Sequence, residues 1–532
     1  MAGTVSRIHR PTVVERRGGW GFGHSRMQPE GMAMHLSLDR CQAMLQERPD
    51  DANAWNSLAA AYIQEAQWTE ARAACAKALE LDPTLTVAMF NMAMCVATNG
   101  DYRDCLAWYR RILALEPDYL VARGNAIFCI DLLTETTPEE ALAERIAWRQ
   151  AVPEKPCFGF EHLDRTPDRP LRVGYVGSQW VDHSATRCFA PVVGDHNPAA
   201  IKTYVYCCRP PEMGDDITKQ FIEIVGDGWR WAHDLSGGAL ADLIYSDQID
   251  ILVDLAGHTE GGRLRTFCLK PAPIQVTAWG YITGTGCPEV DYLMADQVLI
   301  PPDEAAGFVE SIAHLPCVIP FEPHGDFPLV ERPPSLRQDF ITFGCLNRAS
   351  KITEETFDLY ARVLQAVPSG RMLFKAHDYE QPAALERVLH GLTSRGVARG
   401  RIGVLGATTT FRHLATYEGV DLSLDPSPHS GGLTAVEGLW MGVPMVTLAG
   451  RRPVSRLAAS FLTTIGLPEF VATTPDEYVA IAERSVSNLQ RLATLRATMR
   501  ERMRRSPLMG PGYVTAVEDL YRTFWHRWLG LS

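Results

Sequence analysis

The first 150 residues carry small and large apolar positions that repeat at a fixed interval along the chain. Prolines mark the interval of 34 residues, at Pro49, Pro83 and Pro117. This is the period of the tetratricopeptide repeat, in which each unit is a pair of antiparallel helices. Small residues such as Ala59 and Ala93 recur at matching positions, which lets the paired helices pack closely. The pattern predicts a short α-helical solenoid over residues 35–152, with atypical units at both ends.

Two asparagines, Asn91 and Asn125, keep the same interval and are predicted to occupy equivalent helical positions. We expect both to face the groove of the solenoid, where a side-chain amide can bind the backbone of an extended peptide. The alternative is an asparagine that is simply solvated on the helix surface.

From about Pro170 the pattern changes to short β-branched runs that alternate with helical stretches. The predicted strands are residues 171–176, 203–207, 249–255 and 274–277 and, after a proline-rich break at residues 320–334, 341–344, 372–374, 403–405, 422–424 and 444–448. This alternation predicts two parallel sheets with helices on both faces, as two lobes over residues 170–325 and 335–532. Ligands of such sheets bind at the carboxyl ends of the strands, so we expect the site in a cleft between the lobes.

Composition restricts the function classes. The chain has 532 residues, of which 46% are hydrophobic and 21% charged, enough for several packed domains. A formal net charge of −12 provides no basic field for a phosphate backbone, so nucleic acid is not an expected partner. Residues 1–34 are rich in Arg and Gly and are predicted to form a disordered leader.

Cysteine usage and apolar runs indicate a cytoplasmic protein. The 13 cysteines are an odd number without a CxxC pair, which is not typical of a disulfide framework or a zinc ribbon. No stretch reaches the roughly 18 apolar residues of a membrane helix, so no membrane partner is expected. Asp215 and Asp216 are not flanked as in a DxD metal motif, and we predict that no metal ion and no resident cofactor are required.

The strongest chemical signal is the segment from Asp425 to Glu437, a strand end followed by a glycine turn and an amphipathic helix. A helix opened by Gly431, Gly432, Leu433 and Thr434 offers unpaired amides and the positive end of its dipole to a diphosphate. The Thr434 hydroxyl adds a donor, and Glu437, one turn further, can accept hydrogen bonds from a ribose. The alternative is an ordinary strand–turn–helix in which Thr434 is only a cap.

Three further side chains follow predicted strands. Lys351 comes after the strand at residues 341–344, where an ammonium can neutralise a departing diphosphate, and Arg348 can assist it. His183 follows the first strand, and its ordinary pKa suits proton transfer near neutrality. A solvated lysine and a structural histidine are the alternatives. The pairs His233-Asp234 and Gly257-His258 also follow strands or turns and are weaker candidates for the same cleft.

Taken together, these motifs resemble a known family. Helical repeats precede RVGYVGSQWVDHS, ILVDLAGHTEGGR, LKPAPIQVTAWGYITGTG, FGCLNRASKI and LDPSPHSGGLTAVEGLWMGVPMVTLAG, in an order similar to that of the O-linked N-acetylglucosamine transferase and SPINDLY family, glycosyltransferase family 41. The resemblance implies a GT-B fold of two Rossmann-like lobes. It also implies inverting, metal-independent transfer of a sugar to Ser or Thr hydroxyls of a protein. The donor that the resemblance suggests first is UDP-GlcNAc, which supplies N-acetylglucosamine. The acceptor would lie along the repeat groove, although that groove can instead serve a homodimer.

The resemblance assigns roles residue by residue. His183 corresponds to the family's active-site histidine, and Lys351 to the essential lysine that contacts the diphosphate. Asp234 falls where the family has an aspartate proposed to take part in proton transfer.

The nucleotide side is assigned in the same way. Thr434 corresponds to a phosphate-binding threonine, Glu437 to an acidic ribose contact, and His413 to a histidine close to the base. The chain departs from the animal enzymes at two places. It has Gly432-Leu433-Thr434 where they have His-Thr-Thr, and Thr410 where they have a lysine beside the uracil.

These departures leave the donor open. An O-fucosyl- or nonulosonyltransferase acting on flagellin or another bacterial protein is the alternative enzyme, because relatives are thought to use GDP-sugars or nonulosonic acids. A non-catalytic repeat scaffold is the alternative outside enzymes.

Overall fold

The computed structural model describes residues 37–98, 100–323, 327–328, 332–510 and 512–531. The predicted leader at residues 1–34 lies outside these ranges. The architecture is a row of helices followed by two lobes, each built on a parallel sheet. Within the described ranges, every helix is too short or too polar to cross a bilayer.

The helical array consists of consecutive antiparallel helices in pairs. Its helices are α1 (Leu38–Glu47), α2 (Ala52–Gln64), α3 (Trp68–Leu81), α4 (Thr86–Ala97), α5 (Tyr102–Leu115), α6 (Leu120–Leu132) and α7 (Pro138–Ala151). Polar caps fix where helices begin: the Asp51 side chain accepts from the Asn53 amide, and Thr137 forms a capping box with Glu140. Ala59 and Ala93 are fully buried between helices, as the repeat pattern predicts.

The first lobe is a seven-stranded parallel sheet in the order β3-β2-β1-β4-β5-β6-β7. Its strands are β1 (Leu171–Gly177), β2 (Ile201–Cys207), β3 (Trp229–Trp231), β4 (Ile251–Asp254), β5 (Ile274–Thr277), β6 (Tyr292–Ala295) and β7 (Ser311–His314). Its helices are α8 (Ser184–Asp195), α9 (Asp216–Val225), α10 (Gly237–Ser246) and α11 (Leu264–Cys268). All four residues of β4 and of β5 are buried, which is typical of parallel strands covered on both faces.

The second lobe is a six-stranded parallel sheet in the order β10-β9-β8-β11-β12-β13. Its strands are β8 (Ile341–Cys345), β9 (Gly370–Lys375), β10 (Ile402–Leu405), β11 (Leu422–Leu424), β12 (Met445–Leu448) and β13 (Val471–Ala472). Its helices are α12 (Glu354–Ala366), α13 (Pro382–Thr393), α14 (Thr410–Ala415), α15 (Leu433–Trp440), α16 (Leu457–Thr464), α17 (Pro475–Ser487) and α18 (Leu489–Arg505).

The last helix, α19 (Gly512–Trp528), returns to the first lobe. There the Tyr513 hydroxyl accepts from Trp279 Nε1 at 2.8 Å, and Tyr521 and Tyr175 hydroxyls lie 3.2 Å apart. The chain thus crosses from the second lobe back to the first, and these contacts tie the two lobes together.

The predicted fold class, a helical solenoid followed by two Rossmann-like lobes, is confirmed. Strands form at all nine predicted positions, and four more, β3, β6, β7 and β13, complete the sheets. The expectation that Asn91 faces the groove is wrong. Asn91 is 2% exposed, and its Nδ2 donates to Asn56 Oδ1 of the preceding unit at 2.8 Å, because the two helices pack too closely to leave the amide open. Asn125 is half-buried.

Candidate active site

The glycine turn after β11 is organised around one buried carboxylate. Asp425 Oδ1 accepts from the Gly431 amide at 2.8 Å, while its Oδ2 accepts from the hydroxyls of Ser430 and Thr447, both at 2.7 Å. Burial raises the Asp425 pKa to about 6, and these hydrogen bonds act against that rise. Asp425 therefore holds the backbone of the turn in one conformation just before α15 begins.

Lys351 reaches this turn from the neighbouring strand. It ends a helical turn over Ala349–Lys351 that follows β8, and its Nζ donates to the Ser430 carbonyl at 2.9 Å. Burial and the nearby Arg348 guanidinium lower the Lys351 pKa to about 7. The structure thus brings the predicted lysine and the predicted glycine turn together.

The start of α15 completes this half of the site. Gly432 precedes the helix without a side-chain cap, and the first amides of a helix have no acceptors within it. Thr434 Oγ1 donates to Asn347 Oδ1 at 3.0 Å, which orients the threonine hydroxyl beside the Lys351 turn. An anion placed here would meet backbone amides and an ammonium, and the Thr434 hydroxyl could donate to it by turning its hydrogen away from Asn347.

His183 approaches from the first lobe as the residue that caps α8. Its Nδ1 accepts from the Ala185 amide at 3.1 Å, a geometry that assigns the ring proton of the neutral imidazole to Nε2. Burial, followed by the charges of Arg209 and Arg348, lowers the His183 pKa. His183 is therefore neutral at pH 7 and offers an N–H donor to a substrate, rather than an acceptor for its proton.

An ion pair between α8 and α15 joins the two predicted halves of the site directly. Arg187 Nη1 of α8 lies 3.5 Å from Glu437 Oε1 of α15. Glu437 is 6% exposed, and burial raises its pKa to about 7 despite Arg187. Because this pKa lies near neutrality, the carboxyl can accept a hydrogen bond from a ribose hydroxyl when it is ionised, or donate one to it when it is protonated.

Two predicted residues lie away from this centre. Asp234 follows β3, the edge strand of the first sheet, and its side chain is 71% exposed, 3.9 Å from His233 Nδ1. Its role in proton transfer stays a prediction. His413 lies in α14 of the second lobe, where burial and the charge of Lys375 lower its pKa to about 4, so its imidazole is neutral.

Sequence reasoning missed Arg187, Asn347 and Lys375. Asn347 directly precedes the predicted Arg348, and Lys375 directly follows the predicted strand at residues 372–374. The expectation that functional residues follow strand ends could therefore have identified both. Arg187 lies inside a helix, and its contact depends on how the lobes meet. Nothing in the local sequence pattern indicates that contact.

The helical array is bound to both lobes close to the cleft. Arg145 of α7 pairs with Asp131 of α6 at 2.5 Å, and its Nε donates to the Gly284 carbonyl of the first lobe at 3.1 Å. Arg452 of the second lobe donates to the Ile130 carbonyl at 2.6 Å. All three charged side chains are buried, so the array is joined to both lobes by buried polar contacts.

Metal-ligating side chains do not gather in threes or more anywhere in the part of the chain that the structure describes. The 13 cysteines are free thiols.

Two parallel-sheet lobes, with a lysine beside the glycine turn that opens a helix, have the GT-B architecture of a class of glycosyltransferases. The chain belongs to glycosyltransferase family 41, whose family model matches residues 142–326 and 331–516. A tetratricopeptide model matches residues 52–85.

Curated relatives and a solved structure agree with this assignment. The probable UDP-N-acetylglucosamine–peptide N-acetylglucosaminyltransferase SPINDLY of Solanum lycopersicum is 31% identical over 423 residues, 78% of this chain and 45% of that protein. The SPINDLY protein of Arabidopsis thaliana is 32% identical over 78% of this chain and 46% of its own length. The chain thus spans a little under half of these relatives. A point mutant of the Thermobaculum terrenum O-GlcNAc transferase has a TM-score of 0.84 at 31% identity, covering 93% of this chain and 94% of that one.

Proposed function

We propose that this protein transfers N-acetylglucosamine from UDP-GlcNAc to Ser or Thr hydroxyls of a protein acceptor, with inversion and without a metal ion. The observation that carries the proposal is the Lys351 ammonium, held 2.9 Å from the Ser430 carbonyl at the glycine turn. The names of the similar proteins supply the sugar and the acceptor class, because they describe peptide N-acetylglucosaminyltransferases.

The proposed reaction is an in-line displacement at the anomeric carbon. The acceptor oxygen forms a bond to that carbon while the bond to the diphosphate oxygen breaks, and negative charge grows on the leaving diphosphate. Lys351, the Thr434 hydroxyl and the α15 amides face that charge where it develops, which is where electrostatic stabilisation accelerates a reaction.

His183 has a positioning role in this scheme. Its assigned Nε2–H donates to the acceptor oxygen and aligns a lone pair of that oxygen with the anomeric carbon. The proton of the acceptor hydroxyl then passes to an oxygen of the donor phosphate. The acceptor polypeptide lies along the helical array, which is fixed to both lobes by Arg145 and Arg452.

Donor hydrolysis tests the proposal without an identified acceptor. Purified protein is incubated with UDP-GlcNAc and EDTA, UDP release is measured, and the anomeric form of the released sugar is followed by NMR. We expect slow release as the β-anomer, and a rate at least about 100-fold lower for Lys351→Met with an unchanged melting curve. A Lys351→Met variant that retains the wild-type rate contradicts the proposal, and a protein that neither hydrolyses nor binds any nucleotide sugar is a scaffold.

A different donor is the second candidate, favoured by Gly432, Leu433 and Thr410 at positions where animal enzymes differ. Thermal protection by UDP-GlcNAc, GDP-fucose and a CMP-nonulosonic acid separates these donors, because a ligand that binds only the folded state raises its stability. Protection by UDP-GlcNAc alone supports the first candidate, and protection by another donor alone replaces it.

A further inference from the structure

Lys375 is a buried cation in the second lobe with few partners. Lys375 is the last residue of β9 and is 2% exposed. Its Nζ donates to the Gly406 carbonyl at 3.1 Å. Among the described residues that carbonyl is its single hydrogen-bond acceptor, although an ammonium has three N–H donors. A buried ammonium with unused donors is unfavourable on its own, which points to a ligand that supplies another acceptor.

The sheet order places Lys375 one strand away from the Lys351 turn. The diphosphate elements, the Lys351 turn and the glycine turn, follow the adjacent strands β8 and β11. Strand β9 pairs with β8 on the side away from β11, and neighbouring strands lie about 4.8 Å apart. A nucleoside that extends from the diphosphate toward this side of the sheet would pass the ends of β9 and β10.

The surroundings of Lys375 suit a heterocyclic base. The neutral imidazole of His413 lies in α14, close enough for the Lys375 charge to lower its pKa. The apolar side chain of Leu405, which pairs with Lys375 in the sheet, is 43% exposed. An exposed apolar group beside a buried ammonium offers a base an apolar contact for its face and a hydrogen-bond donor for its edge.

We propose that Lys375 is the residue that selects the base of the donor, by donating from Nζ to the keto oxygen of uracil or guanine, with His413 beside it. This proposal rests on the proposed function, because it assumes a nucleoside diphosphate in the cleft. It also offers a replacement for the lysine that the animal enzymes have at the position of Thr410.

The chemistry predicts a selectivity. Uracil O4 and guanine O6 accept hydrogen bonds, whereas cytosine and adenine present an amino group at the equivalent position. An amino group would turn its own N–H bonds toward the ammonium and leave Nζ with a buried, unsatisfied donor. Nucleotides of uracil or guanine should therefore bind well, and those of cytosine and adenine poorly.

The experiment measures dissociation constants of UDP, GDP, CDP and ADP by calorimetry for the wild type, Lys375→Met and Lys375→Arg. For the wild type we expect UDP or GDP to bind at least about tenfold more tightly than both CDP and ADP. In Lys375→Met this preference should fall below about twofold, through weaker binding of the keto nucleotide alone. Lys375→Arg, which keeps a donor, should retain the preference, and Lys77→Met on the surface of the helical array should behave as the wild type.

Several outcomes overturn the inference. If the wild type binds all four nucleotides equally well, the inference is overturned by the wild-type data alone, and the proposed function remains intact. An equal loss for all four nucleotides in Lys375→Met assigns the lysine to the phosphates or to holding the Gly406 loop. If no nucleotide binds the wild type, the proposed function fails and the inference fails with it. UDP and GDP are compared directly, so the same data show which keto base is used.

Discussion

Removing the Lys351 charge should abolish the uptake of a proton that accompanies donor binding. In the ligand-free site the Lys351 pKa is about 7, so at pH 8 only about 10% of the side chain is charged. A phosphate charge at about 4 Å, with an effective dielectric constant of about 20, favours the ammonium by about 4 kcal/mol. That energy corresponds to about three pKa units, so the bound form stays protonated at pH 8. Donor binding should take up about 0.9 proton there, and affinity should fall up to about tenfold per pH unit above 7.

Calorimetry in buffers of different ionisation enthalpy, such as HEPES and Tris, measures this uptake. The ligand is UDP-GlcNAc, whose phosphates are diesters and do not titrate near pH 8. Glu437, with a pKa of about 7, is largely ionised at that pH, and any contribution from it remains in Lys351→Met, so the difference between the two proteins isolates the lysine. The reasoning is refuted if the wild type takes up no proton at pH 8, or if Lys351→Met takes up as much as the wild type.

Three further substitutions test other parts of the structure. His183→Asn keeps an acceptor for the Ala185 amide but removes the Nε2–H, so UDP release should fall about 100-fold with an unchanged melting temperature; an unchanged rate contradicts the positioning role. Asp131→Asn leaves the buried Arg145 unpaired and should lower the free energy of unfolding by about 3–5 kcal/mol in urea denaturation, while a loss below about 1 kcal/mol would mean that the pair is not buried in solution. Thr434→Val should weaken UDP binding about tenfold by calorimetry, whereas Thr434→Ser should not, and equal affinities for both variants remove the hydroxyl from the site.

The fold was largely predictable because its periodicities are strong. A 34-residue repeat and buried β-branched runs lead directly to a solenoid and two parallel sheets. The strands that were missed have weak patterns: β13 has two residues, and β3 is Trp-Arg-Trp without a β-branched residue. Their pairing with neighbouring strands, rather than their own sequence, makes them strands.

The site was predictable within a lobe and less so between lobes. Lys351 and the glycine turn each follow a strand of one parallel sheet, so topology alone brings them to the same edge. The contact between Arg187 and Glu437 depends on the angle at which two lobes meet, and no local pattern encodes that angle. For Asn91, the 34-residue interval correctly gave its position in the repeat, but the predicted exposure to the groove was wrong. Close helix packing buries its amide against Asn56.

The low pKa of Lys351 links donor binding to the electrostatics of catalysis. Two permanent cations beside each other would repel, and the Arg348 charge is one of the reasons that Lys351 loses its proton in the empty cleft. A bound diphosphate reverses this balance, because its charge stabilises both cations at once. The ammonium that stabilises the leaving group therefore forms fully only when the leaving group is present. In the proposed reaction at pH 8, an acceptor that enters before the donor would meet a largely neutral lysine, so we expect productive turnover to require that the donor binds first.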